Sequence, residues 1–185
     1  MEIYTCKGYS DNILKQYRLF GIVQAGLWLQ FAFMEFGSGA FCYLTNLTTL
    51  LTFVYFILGY LRIERFADLT SKLLAIVTVS EVFCGTLYYI FIKPRMSFEL
   101  SYEYDVSVHI FIPLTVIFDT WIHQFRLEWK DFKYPFMYLL GYAMFLPLHE
   151  NMYGKPVYPM LRFEDFSSFT LMLYAAGAIA PIVIF

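Results

Sequence analysis

The sequence predicts an all-α membrane protein, a polytopic bundle of about six transmembrane helices. Composition is the first reason: 59% of the 185 residues are hydrophobic and 15% are charged, against about 25% charged in an ordinary soluble domain. Spacing is the second, because the apolar residues fall into runs near the ~20 residues that cross ~30 Å of hydrocarbon. Each run is expected to be a helix, since backbone groups find no water inside a bilayer and the sequence lacks the alternating short strands of a β-barrel.

The predicted spans leave only short connections, so we expect a single transmembrane domain over residues 1–185. The fifth span is the shortest and has Pro147 near its end, which favours a tilt, a break or a position partly in the membrane interface. The spans are predicted at about 16–36, 41–61, 73–92, 106–123, 134–149 and 166–185.

Basic residues predict the orientation, because cytosolic loops carry an excess of Lys and Arg. One side of the predicted bundle holds nine of them: Lys7, Lys15, Arg18, Arg62, Arg65, Lys72, Arg126, Lys130 and Lys133. The other side holds four: Lys93, Arg95, Lys155 and Arg162. Both termini are therefore expected in the cytosol, with the first helix serving as the insertion signal. The second and fourth helices would then begin at the non-cytosolic side.

Charge and cysteine content argue against several classes of function. The net charge is −2 and no basic patch stands out from the loops, so nucleic-acid binding is not expected. Three scattered cysteines do not form a disulfide framework or a zinc site, and the His and carboxylate spacing gives no persuasive set of metal ligands. We therefore expect no metal and no cofactor, and membrane lipids as the surroundings.

Thr45 and His109 are the strongest candidates for chemistry, because polar side chains at membrane depth are costly and usually face a partner or a cavity. Thr45 lies about four residues inside the predicted second helix and His109 about three inside the fourth, so both are ~5 Å from the same face. A hydroxyl nucleophile needs a base within hydrogen-bonding reach, and His is the commonest base. The two residues are therefore expected at the same depth, but the sequence does not show whether the second and fourth helices are adjacent.

Four neighbouring residues could support this pair. Asp105 precedes His109 by one helical turn, so its carboxylate could orient the imidazole if the helix extends back that far. Asn46 and Tyr43 could donate to a developing oxyanion, although aromatic residues at helix entrances more often anchor the membrane interface. His149 ends the fifth predicted span, beside Glu150.

Purely structural explanations compete at each position. Threonine hydroxyls in membrane helices usually bond back to a carbonyl one turn earlier or hold helices together. A lone membrane histidine such as His109 is more often packed or part of a proton path than catalytic. Glu81 and Asp119 are as readily hydrogen-bond partners inside the bundle as functional groups.

Short motifs also resemble a known family. They are Tyr43-Leu44-Thr45 at the opening of a helix, His109 followed by Ile112-Pro113-Leu114, and Gly154-Lys155-Pro156-Val157-Tyr158-Pro159-Met160-Leu161. In this order and spacing the chain resembles the androgen-induced and androgen-dependent TFPI-regulating family of six-span membrane proteins, from about Arg18 to Leu161. The related bacterial and fungal Pr6Pr membrane proteins have similar helix openings.

The resemblance implies a lipid hydrolase that uses a threonine nucleophile and a histidine to cleave fatty acid esters of hydroxy fatty acids. The threonine and histidine of the family fall on Thr45 and His109. Two features depart from its animal members: Val106 stands where a second histidine is common, and His149 lies one place before the position of their later histidine pair.

The leading hypothesis from the sequence is therefore a threonine hydrolase of lipid esters in the endoplasmic reticulum or plasma membrane, which takes its substrate from the bilayer. One rival is a non-catalytic membrane subunit or assembly factor with partners unknown. A second is a small proton-coupled carrier with Glu81, His109 and Asp119 as a relay, although no internal repeat of the kind many carriers have is visible.

Overall fold

The computed structural model describes residues 2–4, 8, 10–95, 101–123 and 126–158, and these confirm the predicted all-α class. The long helices are α1 (Asp11–Phe36), α2 (Leu44–Leu61), α3 (Ala67–Leu87), α4 (Tyr102–Ile122) and α5 (Lys133–Tyr153).

Four of these helices, α1 to α4, are long and apolar enough to cross a membrane, within the part of the chain that the structure describes. They coincide with the first four predicted spans. The predicted span 134–149 lies in α5, which is not among the four and which runs through Pro147 without a break. The predicted span 166–185 lies outside the described residues.

Local sequence explains where α1 and α2 end. α1 is capped at its C-terminal end by Gly37, whose φ of 57° suits a residue without a Cβ, and a 3-10 turn over Gly37–Cys42 leads into α2. α2 ends at Arg62, which has the left-handed φ of 52° that is unfavourable for a residue with a side chain. Arg62 Nη1 donates to Asp11 Oδ2 at 3.0 Å. This ion pair joins the end of α2 to the start of α1 and offsets part of the conformational cost of the positive φ.

Two π-helical segments interrupt the regular helices. The first, Tyr88–Ile92, continues α3, and the second, Ser107–Phe111, lies inside α4. Gly85 lets the helices approach here, because a Cβ at this position would lie 2.5 Å from the carbonyl oxygen of His109. Such π-helical turns are rare in proteins overall, and those that occur are frequently at functional sites.

The chain divides into two units, Met1–Leu127 and Glu128–Phe185. In the first unit, α1 packs on α2, α2 on α3, α3 on α4 and α4 on α1. Its main core cluster is apolar and includes Tyr55, Phe56, Leu74, Val77 and Val116. The second unit contains α5, preceded by the 3-10 turn Trp129–Asp131, where Glu128 and Asp131 form a capping box. The expectation of a single domain stays a prediction.

A fully buried ion pair crosses the interior of the first unit. Arg18 Nε donates to Asp119 Oδ1 at 3.2 Å, and both side chains are 0% exposed. The guanidinium also donates to the carbonyl oxygens of Gly59 at 3.0 Å and Ile3 at 2.8 Å. Tyr55 donates its hydroxyl proton to Asp119. We call Arg18, Tyr55 and Asp119 the Arg18 cluster. From the sequence, Arg18 was counted only among the cytosolic-side cations, and the structure places its side chain in the interior of the first unit.

Candidate active site

Thr45 and His109 lie side by side. Thr45 is in the first turn of α2, and His109 is in the π segment of α4. The Oγ1 atom of Thr45 is 3.5 Å from Nε2 of His109, a long hydrogen-bonding contact. The lateral adjacency that the sequence left open is therefore present. Such contacts are often long without substrate.

The partners of His109 define its tautomer. Its Nδ1 atom lies 3.0 Å from the backbone oxygen of Asp105 and 3.3 Å from Asp105 Oδ1. A carbonyl oxygen can only accept, so Nδ1 must carry the proton. Nε2 then presents its lone pair to Thr45, whose hydroxyl is the donor. We call Thr45, Asp105 and His109 the Thr45 site.

Asp105 has the position that the sequence predicted for an orienting carboxylate. Helix α4 begins at Tyr102, early enough to include it, and Asp105 is 4% exposed. Its other oxygen, Oδ2, is paired with the ammonium group of Lys93. Lys93 lies over the ring of Tyr89, 5.0 Å from its centroid, and its side chain is 47% exposed. The carboxylate therefore joins a buried imidazole to a cation at the surface of the unit.

Asn46 and Tyr43 shape the entrance of α2. The side-chain amide of Asn46 donates to the backbone oxygen of Ala40 at 3.0 Å. Its oxygen accepts from the Tyr104 hydroxyl at 2.7 Å. These bonds tie the start of α2 both to the preceding turn and to α4. Tyr43 is the residue immediately before α2 and packs its ring against Phe36. The role of either residue toward an oxyanion stays a prediction.

Polar side chains continue from Thr45 along the interface of α2 and α3. The thiol of Cys84 lies 3.9 Å from the hydroxyl of Thr48 and interacts electrostatically with the hydroxyl of Thr45. One turn further, Thr52 donates to Glu81 Oε1 at 2.7 Å. Threonines at positions 45, 48 and 52 share one face of α2, because these spacings return to the same side of a helix.

His149 belongs to the second unit. It lies in α5, where its Nδ1 atom is 3.2 Å from the backbone oxygen of Lys155. Its ring packs between Phe145 and Tyr153, with centroids 5.5 and 4.8 Å away. A supporting role of His149 at the Thr45 site stays a prediction.

Three neighbours of the site were not anticipated: Cys84, Tyr88 and Lys93. Cys84 and Tyr88 are one helical turn apart on α3, a spacing that places both on one face. The sequence allows this shared face to be predicted, but not the helix that packs against it. Lys93 was counted only as a loop cation. Its position directly after the third predicted span, with Asp105 just before the fourth, was a signal that could have indicated the ion pair.

The described residues contain no group of three or more His, Cys, Asp and Glu side chains able to hold a metal ion. No protein-family model, curated protein or solved structure matches this chain. The resemblance carried by the short motifs therefore remains an expectation, and the geometry of the Thr45 site has to support the functional argument.

Proposed function

We propose that this protein is a membrane-embedded hydrolase of lipid esters, with Thr45 as nucleophile and His109 as general base. One observation carries the proposal: Nε2 of His109 lies 3.5 Å from the Thr45 hydroxyl while Asp105 holds the opposite ring nitrogen. A nucleophile, a base within reach and a group that orients the base are the recurring signature of covalent catalysis by hydroxyl side chains.

The chemistry follows from this arrangement. Thr45 gives its proton to Nε2 of His109 as its oxygen attacks the ester carbonyl. The imidazolium then protonates the departing alcohol, which leaves an acyl group on Thr45. A water molecule, deprotonated by the same nitrogen, then attacks the acyl carbonyl; the bond to the Thr45 oxygen breaks, the fatty acid is released, and the imidazolium returns the proton to Thr45. Asp105 stabilises the imidazolium in both steps because its carboxylate lies 3.3 Å from Nδ1.

The start of α2 is a source of donors for the oxyanion. The first backbone N–H groups of any α-helix have no acceptor within the helix. Tyr43, which precedes α2, makes no side-chain cap to them. The amides around Thr45 therefore join Asn46 and Tyr43 as candidates, and the positive end of the helix dipole favours a developing negative charge there.

The membrane setting belongs to the same proposal. We place the chain in the endoplasmic reticulum or plasma membrane with six spans and both ends in the cytosol. With Arg18 left out of the count because it is buried and paired with Asp119, eight cations still stand against four. The Thr45 site then lies near the non-cytosolic face, where an ester can enter from the bilayer. The motif resemblance favours fatty acid esters of hydroxy fatty acids as substrates.

Ester hydrolysis by the purified full-length protein in lipid nanodiscs tests the proposal. The substrate is a fatty acid ester of a hydroxy fatty acid, and the readout is released fatty acid. Thr45→Ala and His109→Ala should each lower kcat by about 10²-fold or more. Thr49→Ala is a matched control, because this buried threonine of α2 has no side-chain hydrogen-bond partner among the described residues. Wild-type rates in both site variants would refute the proposal.

Glu81 favours a second candidate, a proton-coupled carrier. It is 0% exposed in the middle of α3. Oε1 accepts from Thr52, and Oε2 has no partner within the described residues. A buried carboxyl group of this kind is a natural proton site. However, Asp119 of the supposed relay is engaged by Arg18. Solute flux into proteoliposomes that is abolished by Glu81→Gln would establish the carrier, and flux unaffected by it would exclude this role for Glu81.

A further inference from the structure

The aromatic ring of Tyr88 lies flat against the imidazole of His109. The ring centroids are 3.5 Å apart and the planes differ by 4°. Tyr88 is 5% exposed, so the stack is shielded from solvent. On another side, Tyr89 presents its ring nearly perpendicular to the imidazole, with centroids 6.2 Å apart. Two aromatic rings from the π segment that continues α3 therefore contact His109.

The backbone is arranged for this stack. Tyr88 begins the π segment at the end of α3, and His109 lies in the π segment of α4. The absence of a side chain at Gly85, one turn before Tyr88, lets the carbonyl of His109 come against α3. The two π segments and the close approach of the helices at Gly85 thus all occur beside the Tyr88–His109 stack.

We propose that Tyr88 is a positioning residue that fixes the plane of His109 for general-base catalysis; this rests on the proposed function. The imidazole has two side-chain rotations to be fixed. Asp105 holds Nδ1, but a hydrogen bond at one nitrogen still allows the ring to tilt about that contact. The flat stack on Tyr88 removes this tilt and keeps Nε2 directed at Thr45.

The stack also favours the charged state that catalysis creates. When His109 accepts the proton of Thr45, an imidazolium lies over the face of an aromatic ring, and such cation–π contacts gain strength where water is excluded. The Tyr88 hydroxyl makes a separate contribution through its electrostatic interaction with the Asp105 carboxylate. Ring and hydroxyl can therefore be separated by substitution.

Three variants separate these contributions in the ester hydrolysis assay. Tyr88→Leu removes the ring but keeps an apolar side chain, and it should lower kcat about tenfold with KM within about twofold. Tyr88→Phe keeps the ring and should retain at least about a third of the wild-type kcat. Tyr60→Leu is the control, since Tyr60 is an exposed residue near the far end of α2. Equal kcat in the Leu variants at 88 and 60, or equal losses in the Phe and Leu variants at 88, would overturn the proposal.

A measurement without substrate distinguishes failure of this inference from failure of the proposed function. Protein labelled at histidine, with the His109 signals assigned from His109→Ala, should show ring-proton resonances shifted upfield by the stacked tyrosine. The shift should persist in Tyr88→Phe and disappear in Tyr88→Leu. No upfield shift in the wild type would overturn the positioning role. Wild-type hydrolysis by Thr45→Ala would refute the hydrolase proposal while leaving the stack intact.

Discussion

Two buried polar groups in the same unit are built on different principles. In the Arg18 cluster the guanidinium and carboxylate bind each other, two backbone carbonyls and a tyrosine hydroxyl. In the Thr45 site the central contact, from Thr45 to His109, is 3.5 Å. Tyr55 lies ten residues after Thr45 on α2, and Asp119 lies ten residues after His109 on α4. At 1.5 Å per residue, the two groups are about 15 Å apart along the helices.

The difference shows what each group is suited to do. The charges of the Arg18 cluster are fully buried, and almost every hydrogen-bonding direction of the guanidinium is used, so a partner's removal leaves a charge stranded. His109 has one nitrogen firmly held and the other only loosely engaged, while Asp105 is paired with the half-exposed Lys93. The first arrangement holds helices together. The second would leave the proposed nucleophile and base free to move closer together when a substrate binds.

The largest expected effect is on stability and comes from the Arg18 cluster. Asp119→Asn leaves the Arg18 guanidinium buried without its counter-charge, which should lower the free energy of unfolding by about 3–5 kcal/mol. Denaturation in detergent, followed by circular dichroism, measures this. The combined change Arg18→Met with Asp119→Leu should recover much of the loss, because both buried charges are gone. A single variant as stable as wild type would show that the ion pair contributes little.

The next effect is on activity and comes from the Thr45 site. Asp105→Asn removes the negative charge that stabilises the His109 imidazolium, although the backbone oxygen at position 105 still accepts from Nδ1. We expect kcat to fall about 10²-fold while the unfolding midpoint changes little compared with Asp119→Asn. Hydrolysis rates and unfolding curves on the same preparations provide both values. A variant that loses stability but keeps its kcat would reverse the contrast between the two groups.

A smaller effect is expected at Gly85, where α3 meets the carbonyl of His109. The added Cβ of Gly85→Ala would lie 2.5 Å from that oxygen, so the helices must separate. Overpacking of this kind costs about 1–3 kcal/mol, and the displaced Tyr88 stack should also lower kcat. Gly141→Ala in α5 is the matched control, since its Cβ would meet nothing within 4 Å. Equal unfolding midpoints for the two variants would contradict the close packing.

The smallest effect is expected at Lys93. Its ion pair with Asp105 is half exposed at the lysine end, so Lys93→Met should cost no more than about 1 kcal/mol of stability. The kcat should change by only a few-fold, because Asp105 still accepts from His109. Lys93→Arg should match wild type in both assays. A loss in Lys93→Met as large as that of Asp105→Asn would make the lysine a full member of the site.

The sequence allowed the described helices to be predicted because apolar runs report membrane crossing directly. The predicted first span began at residue 16, whereas α1 begins at Asp11, because the polar first turn with Asp11 and Lys15 lowers the hydropathy there. Arg18 was counted only as a cation of the cytosolic side, so the Arg18 cluster was not anticipated. A charged residue can be inside a bundle only if a distant residue pairs with it, and local pattern does not reveal that partner.

The candidate site was partly predictable for a related reason. Thr45 and His109 could be placed at one depth, and Asp105 one turn before the histidine, from helix geometry alone. The neighbours Tyr88, Lys93 and Cys84 depend on how α3 packs against α2 and α4. The π segments that set the Tyr88 stack depend on the same packing at Gly85, and no periodicity in the sequence indicates it.

Mapping the attachment site of a fluorophosphonate probe tests the central claim most directly. This reagent traps activated hydroxyl nucleophiles, and mass spectrometry of the labelled, digested protein locates the adduct. We expect an adduct on Thr45 in the wild-type protein. It should be absent in Thr45→Ala and strongly reduced in His109→Ala, whereas Thr49→Ala should be labelled like wild type. An adduct on another residue, or no adduct on folded wild-type protein, would contradict Thr45 as the activated nucleophile.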